Sequence, residues 1–268
     1  MNILITGSSG FLSKEFQDYF KCENLFNISR AELLDEQVIK KCVLENKIDF
    51  ILHTSWAGVG TSTNDDLKFN MIVHDNIQKQ SKLVNKIFIF GSGAETFKDI
   101  SSNYCKGKLY AFNKSKEVDN IINLRIFGCF GKHENSTRFI KNSVNRIKSG
   151  ESIKINKNKL MDFIFVEDLC LIIKNYMDSE LKLPRNLDCV YQEKYKLSDI
   201  AEYLNSLFFY DKSVQIVNGN HYDLDEPYIG CGDILKTLGL NLIGLKQGIK
   251  KIYEQEAANF RISQSVHF

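Results

Sequence analysis

Proline is scarce, two among 268 residues, so no polyproline tract and no Pro-rich linker separates one part of the chain from another. No stretch approaches the roughly 18 uninterrupted apolar residues of a membrane span. A sustained basic run is also missing. With 35 Lys+Arg against 33 Asp+Glu the net charge is +2, which leaves no electrostatic footprint for nucleic acid. Neither nucleic acid nor membrane is expected as a partner. Seven cysteines (Cys22, Cys42, Cys105, Cys129, Cys170, Cys189 and Cys231) include no CxxC pair and no recurring histidine partner. They read as reduced packing thiols, and no metal site is expected. The opening MNILITGSSG is strand-like from its second residue, without a basic segment ahead of a long apolar one. The expectation is a chain without a signal peptide, located in the cytoplasm.

What is present is enough apolar sequence, 43% of residues, to bury the core of a single or two-lobed unit. Short runs rich in Ile, Leu and Phe alternate with segments of helical period. The pattern predicts strands at 2–6, 25–28, 49–54, 86–91 and 123–128, and helices at 11–20, 36–46, 65–83 and about 107–121. The second half is less regular. It predicts a helix at 136–149, strands near 152–156 and 162–166, a helix at 167–178, strand and helix pieces within 186–208, a strand at 214–217 and a helix at 245–259. Strands such as Ile87-Phe88-Ile89-Phe90 are apolar on both faces, as in a parallel sheet covered by helices on both sides. The fold class is α/β, a doubly wound parallel sheet of the Rossmann kind.

Thr6-Gly7-Ser8-Ser9-Gly10-Phe11-Leu12-Ser13 falls at the first strand-to-helix connection. Glycines there let backbone N–H groups approach a pyrophosphate at a helix N-terminus, which makes Gly7, Ser9, Gly10, Phe11 and Leu12 candidate cofactor contacts. Ser13 stands where the usual G-x-x-G-x-x-G spacing has its last glycine. The second strand ends in Arg30, where an acidic residue would grip a ribose 2′-OH and a guanidinium can take a 2′-phosphate. Arg30 therefore points to NADPH (NADP+) as cofactor, with Asp35 a candidate acceptor for the adenine amino group. The expected domains are a dinucleotide-binding domain over 1–128, to which 162–178 returns, and a smaller C-terminal substrate-binding lobe from 129–161 and 179–268.

Tyr110 and Lys114 are four residues apart in a predicted helix and so share a face. A neighbouring ammonium favours phenolate and makes the phenol a usable acid near neutral pH. Tyr104 and Lys108 have the same spacing, but Gly107 interrupts that pair in a Ser/Asn-containing loop, so the reading places the acid at Tyr110. Ser92 ends the fourth strand, at the sheet edge where such folds bind ligands, and its hydroxyl can bond to a substrate carbonyl.

Strand–TGSSGF–helix, a strand ending in serine, and YAFNK together resemble the extended short-chain dehydrogenase/reductase family, of NAD-dependent epimerase/dehydratase type. The resemblance is nearest to nucleotide-sugar enzymes of the GDP-L-fucose synthase type and continues through SRAELLD, FNMIVHDN, FGSGAE, LRIFGCFGKHEN, MDFIFVEDL and the late LKTLGLNL and LKQGIKKIYE. It implies a catalytic trio of Ser92, Tyr110 and Lys114, with Lys114 also holding the nicotinamide ribose, and cofactor contacts from 126–129, Phe127 among them. Family dehydratases follow the catalytic hydroxyl with Asp-Glu; here Gly93 and Ala94 follow, so water elimination is not expected. Epimerising relatives use a cysteine where Ala94 stands and a histidine where Arg138 stands, and neither residue present moves a carbon-bound proton. Met161 replaces the arginine usual before D-F-x-x-V-x-D, which leaves Arg138 and Arg146 as candidates for the substrate phosphate.

The implied activity is NADPH-dependent reduction of a 4-keto nucleotide-activated sugar, GDP-, dTDP- or CDP-linked, without C3/C5 epimerisation. The resemblance also suggests antigen or capsule sugar synthesis. Two other readings stand beside it: a 4-epimerase with tightly held NAD, and a catalytically silent NADP-binding protein. A homodimer is among the partners the family implies, although the stretch from Lys114 to Leu124 is short for the long helix that often forms the dimer seam.

Overall fold

The computed structural model describes residues 1–58, 62–96, 101–208, 212–217 and 227–254. The chain divides into two compact units, Met1–Ile126 with Cys170–Cys189, and Phe127–Leu169 with Val190 onward.

In the first unit β1 (Asn2–Thr6), α1 (Phe11–Tyr19), β2 (Asn24–Ile28), α2 (Glu36–Glu45), β3 (Phe50–His53), α3 (Asn64–Gln78), β4 (Lys86–Ser92), α4 (Asn103–Ser115) and β5 (Ile121–Ile126) follow in strict alternation. The order across the sheet is β2-β1-β3-β4-β5, and every pairing is parallel. The chain leaves β1 to one side and returns on the other at β3. That reversal opens a crevice outside the carboxyl ends of β1 and β3, where doubly wound sheets take ligands. Strand residues alternate between faces. Leu4, Ile51, Ile87 and Ile89 join Ile39 and Val43 of α2 and Val73 and Ile77 of α3 in one buried cluster. On the opposite period Phe90 packs on Phe16 of α1, with ring centroids 5.1 Å apart. Apolar burial on both faces makes these strands read as unbroken hydrophobic runs.

In the second unit β6 (Cys129–Phe130) pairs with β8 (Ile164–Phe165), and β7 (Lys154–Ile155) with β10 (Gln215–Ile216). Between and after them run α5 (Phe139–Lys148), α7 (Leu197–Leu207), α8 (Asp233–Thr237) and a helix over 245–254. The predicted extension of that last helix to 259 lies outside the described residues. The division between the units falls within α6 (Val166–Asp178), which leads to β9 (Asn186–Asp188).

The unit boundaries differ from the expected domains at two places, the first segment ending at Ile126 rather than at 128. The segment returning to the first unit is 170–189 rather than 162–178, because β9 hydrogen-bonds to β5 as the sixth parallel strand, while Ile164–Phe165 is committed to β6. The predicted helix at 107–121 also shifts, to 103–115. Ser102 accepts from the Cys105 N–H and caps the helix four residues early. Gly107 then sits inside the helix, not in a loop. A Cβ there would lie 3.0 Å from Trp56 and 3.3 Å from Leu67, so that glycine serves close packing of the helix.

Candidate active site

The phosphate-binding turn has the backbone its sequence requires. Gly7 has φ +68°, a left-handed conformation open to glycine at no steric cost. Gly10 is the N-cap of α1 and offers no side chain to the first-turn N–H groups, which leaves them to a ligand such as a pyrophosphate. Ser9 and Gly10 are exposed, and Phe11 and Leu12 are half-buried. Ser13 fits because its hydroxyl turns inward, donating to the Gly7 carbonyl at 2.6 Å and meeting the Thr54 hydroxyl at 2.5 Å. These features suit a dinucleotide.

Beyond β2, Arg30 lies over the Phe69 ring at 4.5 Å and 3.9 Å from an Asp66 oxygen, with 61% of its side chain exposed. Asp35 has a different task from the one expected. Its Oδ1 accepts from the N–H groups of Gln37 and Val38 and caps α2.

The two tyrosine–lysine pairs of α4 have different surroundings. Tyr110 donates to both carboxylate oxygens of Asp75, at 2.8 and 2.9 Å. Burial and that carboxylate push its phenol up to about 12, contrary to the lowering expected from Lys114. Lys114 instead reaches Glu117 at 3.3 Å on the surface. Lys108 is 7% exposed, and its Nζ donates to the Phe90 carbonyl at 2.7 Å, two residues before Ser92. The ammonium lies 3.7 Å over the Trp56 ring and 5.8 Å from the Tyr104 ring centroid. Burial pulls it down to about 8, against an upward pull from Glu95. Of the two lysines, Lys108 is therefore the one at the carboxyl end of β4.

Around Lys108 is a small cavity lined by His53, Trp56, His74, Phe90, Glu95 and Asn123, among others. Burial holds both imidazoles neutral, at about 3 for His53 and about 4 for His74. Glu95 ends one corner. It accepts from the Ser92 N–H at 2.9 Å, the Asn123 amide at 3.0 Å and Arg125 Nε at 3.0 Å. Ser92 itself is buried, and its Oγ accepts from the Ala94 N–H at 3.2 Å. Lys108 stands in the sequence as half of the second tyrosine–lysine pair, whereas Trp56, Glu95 and Asn123 carry no motif that singles them out. A visible signal was Asn123 and Arg125 within Ile121–Ile126, polar side chains in a strand that otherwise reads as fully buried.

In the second unit Phe127 is buried against Tyr228, with ring centroids 5.1 Å apart. Arg138 is the exposed N-cap residue of α5. Arg146 is engaged locally, with Nη2 2.8 Å from Glu151 and Nε donating to the Ser152 carbonyl at 2.7 Å, which closes the turn after α5. Asp162 accepts from Lys194 at 2.6 Å and from the Gly230 N–H at 2.8 Å. Among the described residues no group of three or more His, Cys, Asp or Glu could hold a metal, and no helix is long and apolar enough to cross a membrane.

A six-stranded parallel sheet with a glycine turn at its first βα connection defines a Rossmann-like α/β fold, the fold of solved nucleotide-sugar dehydratases, epimerases and reductases. More particularly, the family model "NAD dependent epimerase/dehydratase family" matches residues 106–186, from α4 to β9. Three solved structures illustrate the shared fold. UDP-glucose 4-epimerase of Thermotoga maritima, with UDP-glucose, superimposes at TM-score 0.79 and 17% identity over 97% of this chain and 100% of that one. The dTDP-4-dehydrorhamnose reductase of Bacillus anthracis, with NADP, gives 0.79 and 14% over 95% and 98%. The dTDP-glucose 4,6-dehydratase of the same organism, with NAD, gives 0.78 and 14% over 95% and 97%. Among curated protein sequences, none matches this chain.

Proposed function

We propose that the protein is an NADPH-dependent reductase of a 4-keto nucleotide-activated sugar, acting without epimerisation through Ser92, Tyr104 and Lys108. The observation that carries this is the burial of the Lys108 ammonium against the carbonyl of Phe90, two residues before Ser92 and one helical turn from Tyr104. The acid is accordingly moved from Tyr110 to Tyr104, and the ammonium from Lys114 to Lys108. When bound, NADPH supplies hydride to the carbonyl carbon. Tyr104 gives its phenolic proton to the carbonyl oxygen, and the Lys108 charge stabilises the phenolate that remains. The Ser92 hydroxyl donates to the same oxygen and orients it.

Arg30, stacked on Phe69 with most of its guanidinium exposed, favours a cofactor carrying a 2′-phosphate. Ala94, buried at the position that would need a cysteine for epimerisation, has no proton to move. Of the two arginines expected to meet a substrate phosphate, Arg146 is held by Glu151 and the Ser152 carbonyl, while Arg138 stands exposed at the start of α5. UDP-glucose in one solved neighbour and UDP in another support the substrate class. Mixing purified protein with NADPH and freshly generated 4-keto GDP- or dTDP-sugars is expected to bleach the reduced-nicotinamide absorbance. Tightly bound NAD in the purified protein, with turnover that needs no added reductant, would instead make it an epimerase.

A further inference from the structure

We propose that Glu95 is a positioning residue for this reaction: one carboxylate oxygen holds the Ser92 turn, the other is anchored by Asn123 and Arg125, and the charge faces Lys108. The inference rests on the reading of Ser92 and Lys108 as groups of the reacting site, and it names a residue that reading does not require.

The Glu95 carboxylate is 1% exposed, and the sheet and its edge place three donors on it. Oε1 takes the Ser92 N–H at 2.9 Å, which fixes the short 3₁₀ turn over Gly93–Thr96 and with it the direction of the serine. Oε2 takes Asn123 Nδ2 and Arg125 Nε, both at 3.0 Å and both from β5. Arg125 is clamped from its other side by Asp188 of β9 at 2.6 Å. The Ser92 turn is thereby tied through side chains to two further strands. Space for this carboxylate depends on Gly91, since a Cβ there would fall 2.3 Å from Glu95 Oε1 and 2.4 Å from Asn123 Oδ1. An alanine in that strand would evict the carboxylate.

The groups facing Lys108 come from four directions. They are His53 and Trp56 at the end of β3, His74 of α3, Glu95 from the turn after β4, and Asn123 of β5, with Tyr104 on its own helix. Burial keeps both histidines uncharged, so among the described residues Glu95 is the anion lining the cavity. In a site of low dielectric a single carboxylate decides how far an ammonium can be desolvated and still keep its proton. Glu95 thus serves two groups at once, fixing the serine through geometry and keeping the lysine charged through its field.

The test is Glu95→Gln, read in two ways. Trace labelling with acetic anhydride from about pH 6 to about pH 10, with the Lys108 peptide followed by mass spectrometry, gives the titration midpoint of that lysine without any substrate. It is expected to fall by about one pH unit. The alkaline limb of kcat/KM should move down with it, and kcat should drop about tenfold or more while KM for the sugar changes little. Because the single variant leaves Arg125 facing an amide, Glu95→Gln/Arg125→Met/Asp188→Asn is made alongside, so that no charge of the buried network loses its partner. It should melt close to the wild type while keeping the lowered midpoint and the lowered kcat. A folded single or triple variant with the wild-type Lys108 midpoint and wild-type kcat overturns the proposal. If the wild type turns over none of the keto-sugars but the midpoint still shifts, the reductase reading fails while the hold of Glu95 on Lys108 stands.

Discussion

Tyr104→Phe is expected to lower kcat for NADPH-dependent reduction by about 10²- to 10⁴-fold, the usual worth of a positioned general acid, while NADPH still binds. Tyr110→Phe should change kcat by no more than about threefold. Sequence spacing gives the two phenols equal standing, and their surroundings separate them. The Tyr110 hydroxyl is turned into the Asp75 carboxylate, and burial together with that carboxylate resists its ionisation and raises it to about 12. A phenol in that state is a poor proton donor. Tyr104 meets the Trp56 ring edge to face, and the buried Lys108 lies over that same ring, bringing a positive charge near Tyr104 where Tyr110 has a carboxylate. Lys108→Met and Lys114→Met should repeat the contrast, because Lys114 spends its charge on Glu117 in water. Steady-state NADPH oxidation by the four variants decides the matter. A large loss at Tyr110 with none at Tyr104 would return the acid to the residue first singled out in the sequence.

The second large effect is on stability. Asp168 is 0% exposed, and its carboxylate gathers three donors: the Ile243 N–H at 2.7 Å, the Gly244 N–H at 2.9 Å and the Tyr191 hydroxyl at 2.5 Å. Hydrogen bonds to a buried ionised group are strong, and each orphaned partner keeps its desolvation cost when the acceptor is removed. Burial and this carboxylate also drive the Tyr191 hydroxyl well above its ordinary range, so Tyr191 stays a donor at every accessible pH. Asp168→Ala is expected to cost about 3–5 kcal/mol. Its local signature would be loss of hydrogen-exchange protection in the helix over 245–254, which begins directly after the two N–H groups that Asp168 holds. The exposed pair Lys174–Asp178 is the control, since Asp178→Asn should cost about 1 kcal/mol or less. Thermal melts of the two variants supply the comparison. Equal losses would mean that Asp168 does not anchor this region.

The parallel sheet was legible because its signal is local. Ile87-Phe88-Ile89-Phe90 and Phe50-Ile51-Leu52 have no polar face, and TGSSG falls at the first strand-to-helix turn. What the sequence concealed depended on distant partners. Gly107 reads as a helix breaker until Trp56 is seen packed against it, which is why the predicted helix start falls four residues late. Asp35 and Arg146 offered suitable chemistry for adenine and phosphate, but each is engaged by its own neighbouring backbone or turn, in patterns of an N-cap and a C-terminal closure. The sixth strand was missed as part of the first unit because Asn186-Leu187-Asp188 is too short and polar to announce burial beside β5.

Reduction with 4-deuterated NADPH, followed by mass spectrometry and NMR of the sugar, tests the proposed chemistry most directly. Deuterium is expected at C4 alone, and a parallel run in heavy water with unlabelled NADPH should place none at C3 or C5. Solvent deuterium at either of those carbons would contradict it, since simple reduction at C4 moves no proton bound to C3 or C5.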